Sequence, residues 1–349
     1  ADGMVLTAAS SDVARVSLTI EPVNLCNLAC SYCLRDDAHL HKDPAAYLSP
    51  DLLRRVLREA AQTCGADEVS FSGGEPTLHP RFSELVEVVA GEGYRFSFVT
   101  NGWHFGRVRE ALARHKSALQ LVGFSLDGAT EATHDEIRGK GSFRRLMSAV
   151  ADCHALGFPF RFKAVLHKPN ARRVEELALF AARVGAQGIK FAHLLPTTPG
   201  IEGTMGLSAQ ERYAVEGEIG VMRRVLRIDV LLAAGFTNTD PAPPCRVLAG
   251  RECNIDYAGR MSMCCNLSGF SGSVPDRDVV ADLNVTSFAE AWRRVRELVS
   301  LQNARRKLAL ETAGKRAGFR VTSPCELCLT HFEKTPWPRP SETIAETGL

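Results

Sequence analysis

The stretch Cys26-Asn-Leu-Ala-Cys30-Ser-Tyr-Cys33 determines how the rest of the chain is interpreted. It comes shortly after Val16-Ser-Leu-Thr-Ile20, whose apolar residues alternate as in a β-strand. Three thiols in so short a loop can all turn inward around one compact iron–sulfur cluster. A tetrahedral zinc site or a fully ligated cluster needs a fourth ligand, and no neighbouring residue completes the set. The stretch therefore predicts a four-iron cluster with one iron left open for a substrate.

This C-x3-C-x2-C spacing, with Tyr32 before the last cysteine, resembles the radical S-adenosylmethionine (SAM) superfamily. The resemblance implies that Cys26, Cys30 and Cys33 are catalytic residues that hold a [4Fe–4S] cluster. It also implies that the open iron chelates the amino and carboxylate groups of SAM, and that one electron then releases a 5′-deoxyadenosyl radical. A partial zinc site or a cluster of disulfides is the alternative.

The composition is ordinary for a soluble globular protein, with 349 residues, 45% hydrophobic and 23% charged. A net charge of +2 gives no electrostatic reason to expect a nucleic-acid partner. No apolar stretch approaches the roughly 20 residues of a membrane span, and no signal peptide opens the sequence. Eleven cysteines without a secretory signal indicate metal ligands in a reducing cytoplasm.

Strand and helix patterns alternate along the chain, which is typical of right-handed βαβ units and a parallel sheet. The length, and motifs placed at strand ends, favour a partial (β/α)6 barrel of the TIM type over residues 15–235. Residues 1–14 would precede it, a smaller cluster domain would occupy 236–335, and 336–349 would be a Pro-rich tail. The expected strands are 16–20, 68–71, 94–99, 119–126, 160–166 and 187–194, and the expected helices are 50–61, 80–91, 105–117, 143–156, 172–184 and 208–226.

Four motifs at the expected strand ends resemble segments that bind SAM in this superfamily. Ser125 and Arg138 resemble residues that hold the SAM carboxylate, and a guanidinium fork suits that group. For Arg138 the alternative is a surface ion pair with Asp135. The full set of expected cofactor-binding residues is Tyr32, Gly73, Gly74, Glu75, Pro76, Thr100, Asn101, Ser125, Arg138 and Leu195.

Basic side chains on the last two expected strands are candidates for binding substrate or moving a proton. Lys163 and His193 are the predicted catalytic residues, and His167 and Lys190 are further candidates. For each of them a solvated or structural role is the alternative.

A second group of cysteines lies beyond residue 235. The spacing C-x13-G-x4-C, from Cys245 through Gly259 to Cys264, resembles the SPASM and Twitch extensions of the superfamily. A hairpin over roughly 253–264 and a helix over 287–298 would lead to Cys325-x2-Cys328. The resemblance implies a Twitch-like domain with one auxiliary [4Fe–4S] cluster, whose ligands are Cys245, Cys264, Cys325 and Cys328.

Several alternatives to this ligand set remain open. Cys253 or Cys265 could replace Cys264, and His331 could join the ligands. A structural zinc with four thiolates would also satisfy the C-x2-C end.

The reaction expected first is a two-electron oxidation of a small natural-product precursor, with the auxiliary cluster as electron acceptor. A peptide maturase that forms a cross-link comes second, because only about fifteen residues precede the first strand and no second auxiliary cluster is expected. A redox-neutral epimerase or mutase, and a non-enzymatic iron–sulfur or zinc protein, are the other hypotheses. The first cluster needs a low-potential electron, which implies a flavodoxin or ferredoxin partner.

Overall fold

A computed structural model describes residues 16–35, 40–195, 197, 200–269, 276–314 and 318–335. The expected N-terminal extension over 1–14 and the expected Pro-rich tail over 336–349 lie outside the described residues. Of the helices within the described ranges, none combines the length and the apolar character that crossing a membrane requires.

One sheet of ten strands organises the described residues, in the order β10-β9-β8-β1-β2-β3-β4-β5-β6-β7. Strands β1 to β7 are parallel and adjacent in chain order, which confirms the expected partial α/β barrel. The seventh parallel strand was not expected. The strands are Val16–Ile20 (β1), Ala66–Phe71 (β2), Arg95–Thr100 (β3), Leu119–Ser125 (β4), Phe160–Leu166 (β5), Gly188–His193 (β6), Asp229–Leu232 (β7), Glu252–Ile255 (β8), Arg260–Ser262 (β9) and Val279–Asp282 (β10).

Helices fill the connections between the parallel strands, close to the expected bounds. The first begins at Pro50, whose missing N–H is no loss at that position, and Gly65 ends it with φ 65°. The expected helix over 105–117 is instead a 3₁₀ turn followed by a short α-helix. The helices are Pro50–Cys64 (α1), Phe82–Gly91 (α2), Arg109–Arg114 (α3), Glu131–Arg138 (α4), Ser142–Leu156 (α5), Val174–Arg183 (α6), Ile201–Met205 (α7), Ala209–Val225 (α8), Phe288–Ala313 (α9), Phe319–Thr322 (α10) and Pro324–His331 (α11).

The two faces of the sheet differ in chemistry. The face turned to the helices is apolar: Phe71 packs on Phe82 of α2, and Phe162 packs on Phe180 of α6. Because side chains alternate along a strand, the residues between these point into the barrel. Many of those inward residues are polar, and they are Thr19, Glu68, Ser70, Arg95, Ser97, Ser125, Lys163, Lys190, Glu252 and Asn254. The fold therefore leaves a polar interior beside the strand ends.

The C-terminal hairpin extends the barrel sheet. Strand β8 pairs in parallel with β1, so that Thr19 lies opposite Asn254 and Ile20 lies opposite Ile255. Strands β8 and β9 form the expected hairpin, and its turn contains Gly259 with φ 81°. Helix α9 is longer than expected and runs from Phe288 to Ala313. The boundary placed near residue 235 therefore follows β7, yet the segment after it shares one sheet with the barrel.

Candidate cluster and cofactor site

The three cysteines of the first loop lie together after β1. The Cys33 amide donates to the Cys30 carbonyl over 3.0 Å, and the Cys26 amide donates to the Leu40 carbonyl over 3.4 Å. Burial is the main reason that the pKa of the Cys26 thiol is raised to about 12, and the neighbouring Glu75, Cys30 and Cys33 contribute in the same direction. Thiols that crowd one another away from water are held as thiolates only beside a strong positive charge. The loop therefore fits a cationic metal centre.

The glycine pair after β2, Gly73 and Gly74, packs closely against the chain that leads into this loop. A Cβ on Gly74 would lie 2.1 Å from the Leu25 carbonyl oxygen, and one on Gly73, with φ 111°, would lie 3.1 Å from the Cβ of Glu21. The Glu75 amide donates to the same Leu25 carbonyl over 2.8 Å. Both glycines are thus required by the close approach of the loop that carries the first cysteines. Their predicted contact with the SAM ammonium stays a prediction.

The Glu75 carboxylate accepts hydrogen bonds from residues at the C-terminal end of β3. Its carboxylate accepts from the Thr100 hydroxyl at 2.7 Å, the Asn101 amide at 2.8 Å and the Thr77 hydroxyl at 2.6 Å. Burial raises its pKa, while these donors act in the opposite direction. The Asn101 side-chain amide in turn donates to the Asn27 side chain at 3.0 Å. The expected cofactor-binding residues Glu75, Thr100 and Asn101 therefore form one network that reaches the cysteine loop. Pro76 opens the 3₁₀ turn that follows.

Arg138 forms an ion pair with Asp127. The alternative role considered from the sequence was an ion pair with Asp135. The Arg138 Nε donates to Asp127 Oδ2, and the Tyr32 hydroxyl donates to the same oxygen at 2.5 Å. Asp135 instead accepts from the amides of Gly141 and Phe143 at the start of α5. The guanidinium is thus already neutralised, and its role toward a SAM carboxylate stays a prediction.

Asp127 of this network had no assigned role in the sequence, whereas His167 was one of the further candidates. Asp127 accepts from the Val165 amide at 3.2 Å, so it joins β4, β5 and the cysteine loop. The only sequence signal was its place at a strand end, two residues after Ser125. The His167 ring lies 5.1 Å from the Tyr32 ring, and within the described residues neither of its nitrogens has a hydrogen-bond partner.

The two basic residues that were predicted to be catalytic, Lys163 and His193, lie on opposite faces of the sheet. Lys163 points into the barrel and is the register partner of Ser125 on β4. Burial lowers the pKa of the Lys163 ammonium, and the nearby cations Lys190, Arg35 and Arg138 lower it further.

His193 packs on the outer face of β6. Its ring centroid lies 4.1 Å from that of Phe236 and 5.4 Å from that of Phe319. Its Nε2 is 3.5 Å from a Glu216 carboxylate oxygen, and burial lowers its pKa. The structure does not bring His193 together with Lys163, so this position does not favour a role in the barrel interior. Leu195 is a buried core residue whose carbonyl accepts from the Thr197 amide.

Of the four expected ligands of the second group, Cys245, Cys325 and Cys328 are mutual neighbours, and Cys264 lies near Cys325. Burial is the main reason that the pKa of the Cys325 thiol is raised to about 12, and the neighbouring Cys245 contributes. The pKa of the Cys328 thiol is raised by burial and by both of these thiols. The Asn266 amide group lies 3.7 Å from the Cys325 sulfur. Cys264 interacts with Cys325 as well. This arrangement of buried thiols also fits a cationic metal centre.

The structure places the alternative ligands of this group, Cys253, His331 and Cys265, in different surroundings. Cys253 is fully buried on the outer face of β8, near Cys64 of α1, so it does not face the other ligands. The His331 Nδ1 lies 2.7 Å from the Gln302 side-chain oxygen of α9, and that contact turns it toward the helix. Cys265 hydrogen-bonds with Cys264 and lies near Lys163 and Glu252. It remains an alternative ligand.

Arg35 connects the two groups of cysteines. Its guanidinium pairs with Glu21 at 3.0 Å and donates to the Ser268 carbonyl at 2.7 Å. Cys33 and Cys265 both lie close enough to raise its pKa. Within the described residues, no three His, Cys, Asp or Glu side chains are spaced to share one metal ion. That finding concerns single ions and not clusters.

Residues 20–181 match the Radical SAM superfamily. This chain carries a radical SAM domain. Such a domain takes a [4Fe–4S] cluster and SAM, and the thiols of Cys26, Cys30 and Cys33 fit the cluster.

Three further comparisons extend beyond that domain. The chain is 33% identical over 192 residues to the mycofactocin maturase MftC of Mycobacterium tuberculosis, which covers 54% of this chain and 47% of that protein. It is 32% identical over 184 residues to the PqqA peptide cyclase of Methylocella silvestris, covering 51% and 47%. The chain thus spans about half the length of the curated relatives it matches. A crystal structure of Streptococcus suis SuiB bound to the precursor peptide SuiA has a similar fold, with a TM-score of 0.65 and 16% sequence identity. The match covers 80% of this chain and 64% of the SuiB chain.

Proposed function

We propose that this chain modifies a peptide by radical oxidation. Two relatives are named as a maturase and a peptide cyclase, so the peptide hypothesis replaces the small-molecule substrate that the sequence analysis placed first. When bound, the cluster and SAM supply a 5′-deoxyadenosyl radical that removes one hydrogen atom from the substrate.

One arrangement in the structure carries the proposal. The inward-facing Lys163 lies near Cys265 of the second cysteine group, and Arg35 lies near both Cys33 and Cys265. Removal of a hydrogen atom leaves a radical, and loss of a second electron and a proton completes an oxidation. An electron acceptor held by Cys245, Cys264, Cys325 and Cys328 would lie beside Cys265, which is near Lys163 on the inner face of the barrel.

The residues around the first loop would hold and orient the reactants. Cys26, Cys30 and Cys33 bind the cluster, while Glu75 fixes Thr100 and Asn101 beside it. The Tyr32–Asp127–Arg138 network fixes the loop against β4 and β5. A flavodoxin or ferredoxin would deliver the low-potential electron.

The test uses anaerobically reconstituted protein with SAM, dithionite and a library of synthetic peptides. We expect release of 5′-deoxyadenosine and a peptide that has lost two hydrogen atoms, measured by chromatography and mass spectrometry. The matched control changes Cys26, Cys30 and Cys33 to Ala and is expected to release none. Solvent deuterium in a peptide of unchanged oxidation state would instead indicate an epimerase, and absence of 5′-deoxyadenosine from the wild type would contradict the proposal.

A further inference from the structure

Two lysines form a row across the inner face of the barrel. Lys163 on β5 lies opposite Lys190 on β6 in the parallel register, and Ser125 on β4 lies opposite Lys163. Neighbouring strands are about 4.8 Å apart, so the two side chains leave the same face side by side. Lys163 is partly covered within the barrel, and Lys190 is exposed.

The other charges of this interior are already paired. Glu68 contacts Arg95 at 2.8 Å and Arg246 at 3.5 Å, and Arg246 also approaches Glu252 at 3.8 Å. The Glu252 carboxylate additionally accepts from the Thr19 hydroxyl at 3.0 Å. The remaining arginines near the strand ends pair with carboxylates too, as Arg35 with Glu21, Arg138 with Asp127 and Arg161 with Asp229.

Lys163 and Lys190 take no part in these ion pairs. Within the described residues neither ammonium makes a hydrogen bond or an ion pair. The Cys265 thiol acts on Lys163 over a longer range, and Glu252, which already approaches Arg246, acts on both lysines. Two adjacent cations repel each other, and an anion between them removes that repulsion. The lysine pair therefore has the charge and the position of an anion-binding site.

We propose that Lys163 and Lys190 bind a carboxylate of the substrate and orient it inside the barrel. This inference rests on the proposed function, since it names a feature of the same substrate. The acidic group would be an Asp or Glu side chain or the C-terminal carboxylate of the peptide. A carboxylate has two oxygens, so each ammonium donates to one of them. The pair would then hold one end of the substrate next to Ser125.

The test uses pyridoxal 5′-phosphate as a probe of the reconstituted full chain, without turnover. Its aldehyde condenses with an uncharged lysine amine and releases water, and borohydride then delivers hydride to fix the product as a secondary amine. Its phosphate mimics the bound anion. We expect label at Lys163, mapped by mass spectrometry, to exceed that at the exposed Lys140 about tenfold, the effect of one charge-assisted hydrogen bond.

Three comparisons make this result specific. Lys190→Met is expected to lower labelling of Lys163 about tenfold, whereas Lys190→Arg keeps the cation and most of the labelling, and Lys140→Met changes nothing. With SAM at saturation, N-acetyl-Glu-Glu is expected to protect the pair and its Gln-Gln isostere to leave it exposed. The arginine variant also shows that a lost label does not reflect misfolding.

Two outcomes would overturn the inference. One is label at Lys163 equal to that at Lys140 or unchanged in Lys190→Met. The other is complete protection by SAM alone, which would assign the lysines to the carboxylate of the cofactor. Release of 5′-deoxyadenosine by the wild type is measured separately, so a failure of the proposed function is distinguished from a failure of this site.

Discussion

Single residues near the cysteine loop are held by partners far away in the chain. Tyr32 and Asp127 are separated by 95 positions, yet a 2.5 Å hydrogen bond joins them. Motif spacing in the sequence indicated which positions belong to the site, because the loop, the glycine pair and the strand ends each have a local pattern. It did not indicate their partners, because long-range side-chain contacts leave no local pattern, and the alternative considered for Arg138 named Asp135 where the structure has Asp127.

At the residue scale, His134 makes the stability of the folded state depend on pH. Burial lowers the pKa of its imidazole to about 4, and its Nδ1 already accepts from the Asp127 amide. The folded state therefore disfavours the proton that the unfolded state takes up below about pH 6.5, so stability is lost as the pH falls. We expect this residue to cost the folded state about 1 kcal/mol between pH 7 and 5.5.

The measurement compares the change in melting temperature between pH 7 and 5.5 for the wild type and His134→Asn. The variant is expected to lose less stability on acidification, and His115→Asn, at the half-buried end of α3, serves as the matched control. An equal pH dependence in the wild type and His134→Asn would contradict the assignment.

At the scale of elements, the glycine turn and the cysteine loop form one unit. The sequence predicted the strand–helix order and most bounds, because apolar periodicity and turn residues are local signals. It missed β7, which has four residues and follows an expected closing helix. It assigned the glycines to a ligand, which stays a prediction, and it did not predict the close approach of the Leu25 carbonyl to Gly74.

Gly74→Ala tests this unit. The added methyl would overlap the Leu25 carbonyl oxygen at 2.1 Å, so the loop must move, and the three thiols move with it. We expect loss of the iron held by the first loop, about four irons per chain, with the second group unaffected. The measurement is iron content after anaerobic reconstitution.

Gly91→Ala is the matched control, because a Cβ there meets nothing within 4 Å at the end of α2. It is expected to keep the full iron content. Full iron in Gly74→Ala would show that the close approach to Leu25 does not hold the loop.

At the scale of the whole molecule, the C-terminal segment is built into the barrel. Strand β8 continues the sheet beside β1, and Arg35 ties the first loop to Ser268. The sequence predicted a hairpin with cysteines at its flanks, but it could not show that the hairpin pairs with β1. Strand pairing over more than 200 positions depends on the folded arrangement and not on a local pattern.

Arg35→Met tests that connection. Removing the guanidinium leaves the buried Glu21 carboxylate without its partner, which is expected to lower the free energy of unfolding by about 3 kcal/mol. The combined change Glu21→Gln and Arg35→Met is expected to be milder, because no charge is then left unpaired. Thermal unfolding measures both variants.

Arg81→Met removes an exposed ion pair with Glu84 and is the matched control, with an expected change within about 0.5 kcal/mol. An Arg35→Met protein as stable as this control would show that the buried pair does not join the two segments.

The most direct test of two cluster sites is iron and sulfide content after anaerobic reconstitution. We expect about eight irons and eight sulfides in the wild type. About four of each should remain when Cys26, Cys30 and Cys33 are changed to Ala, and also when Cys245, Cys264, Cys325 and Cys328 are changed. A wild type with only four irons, or a first-loop variant that holds zinc or no metal, would contradict the second cluster and remove the electron acceptor from the proposed oxidation.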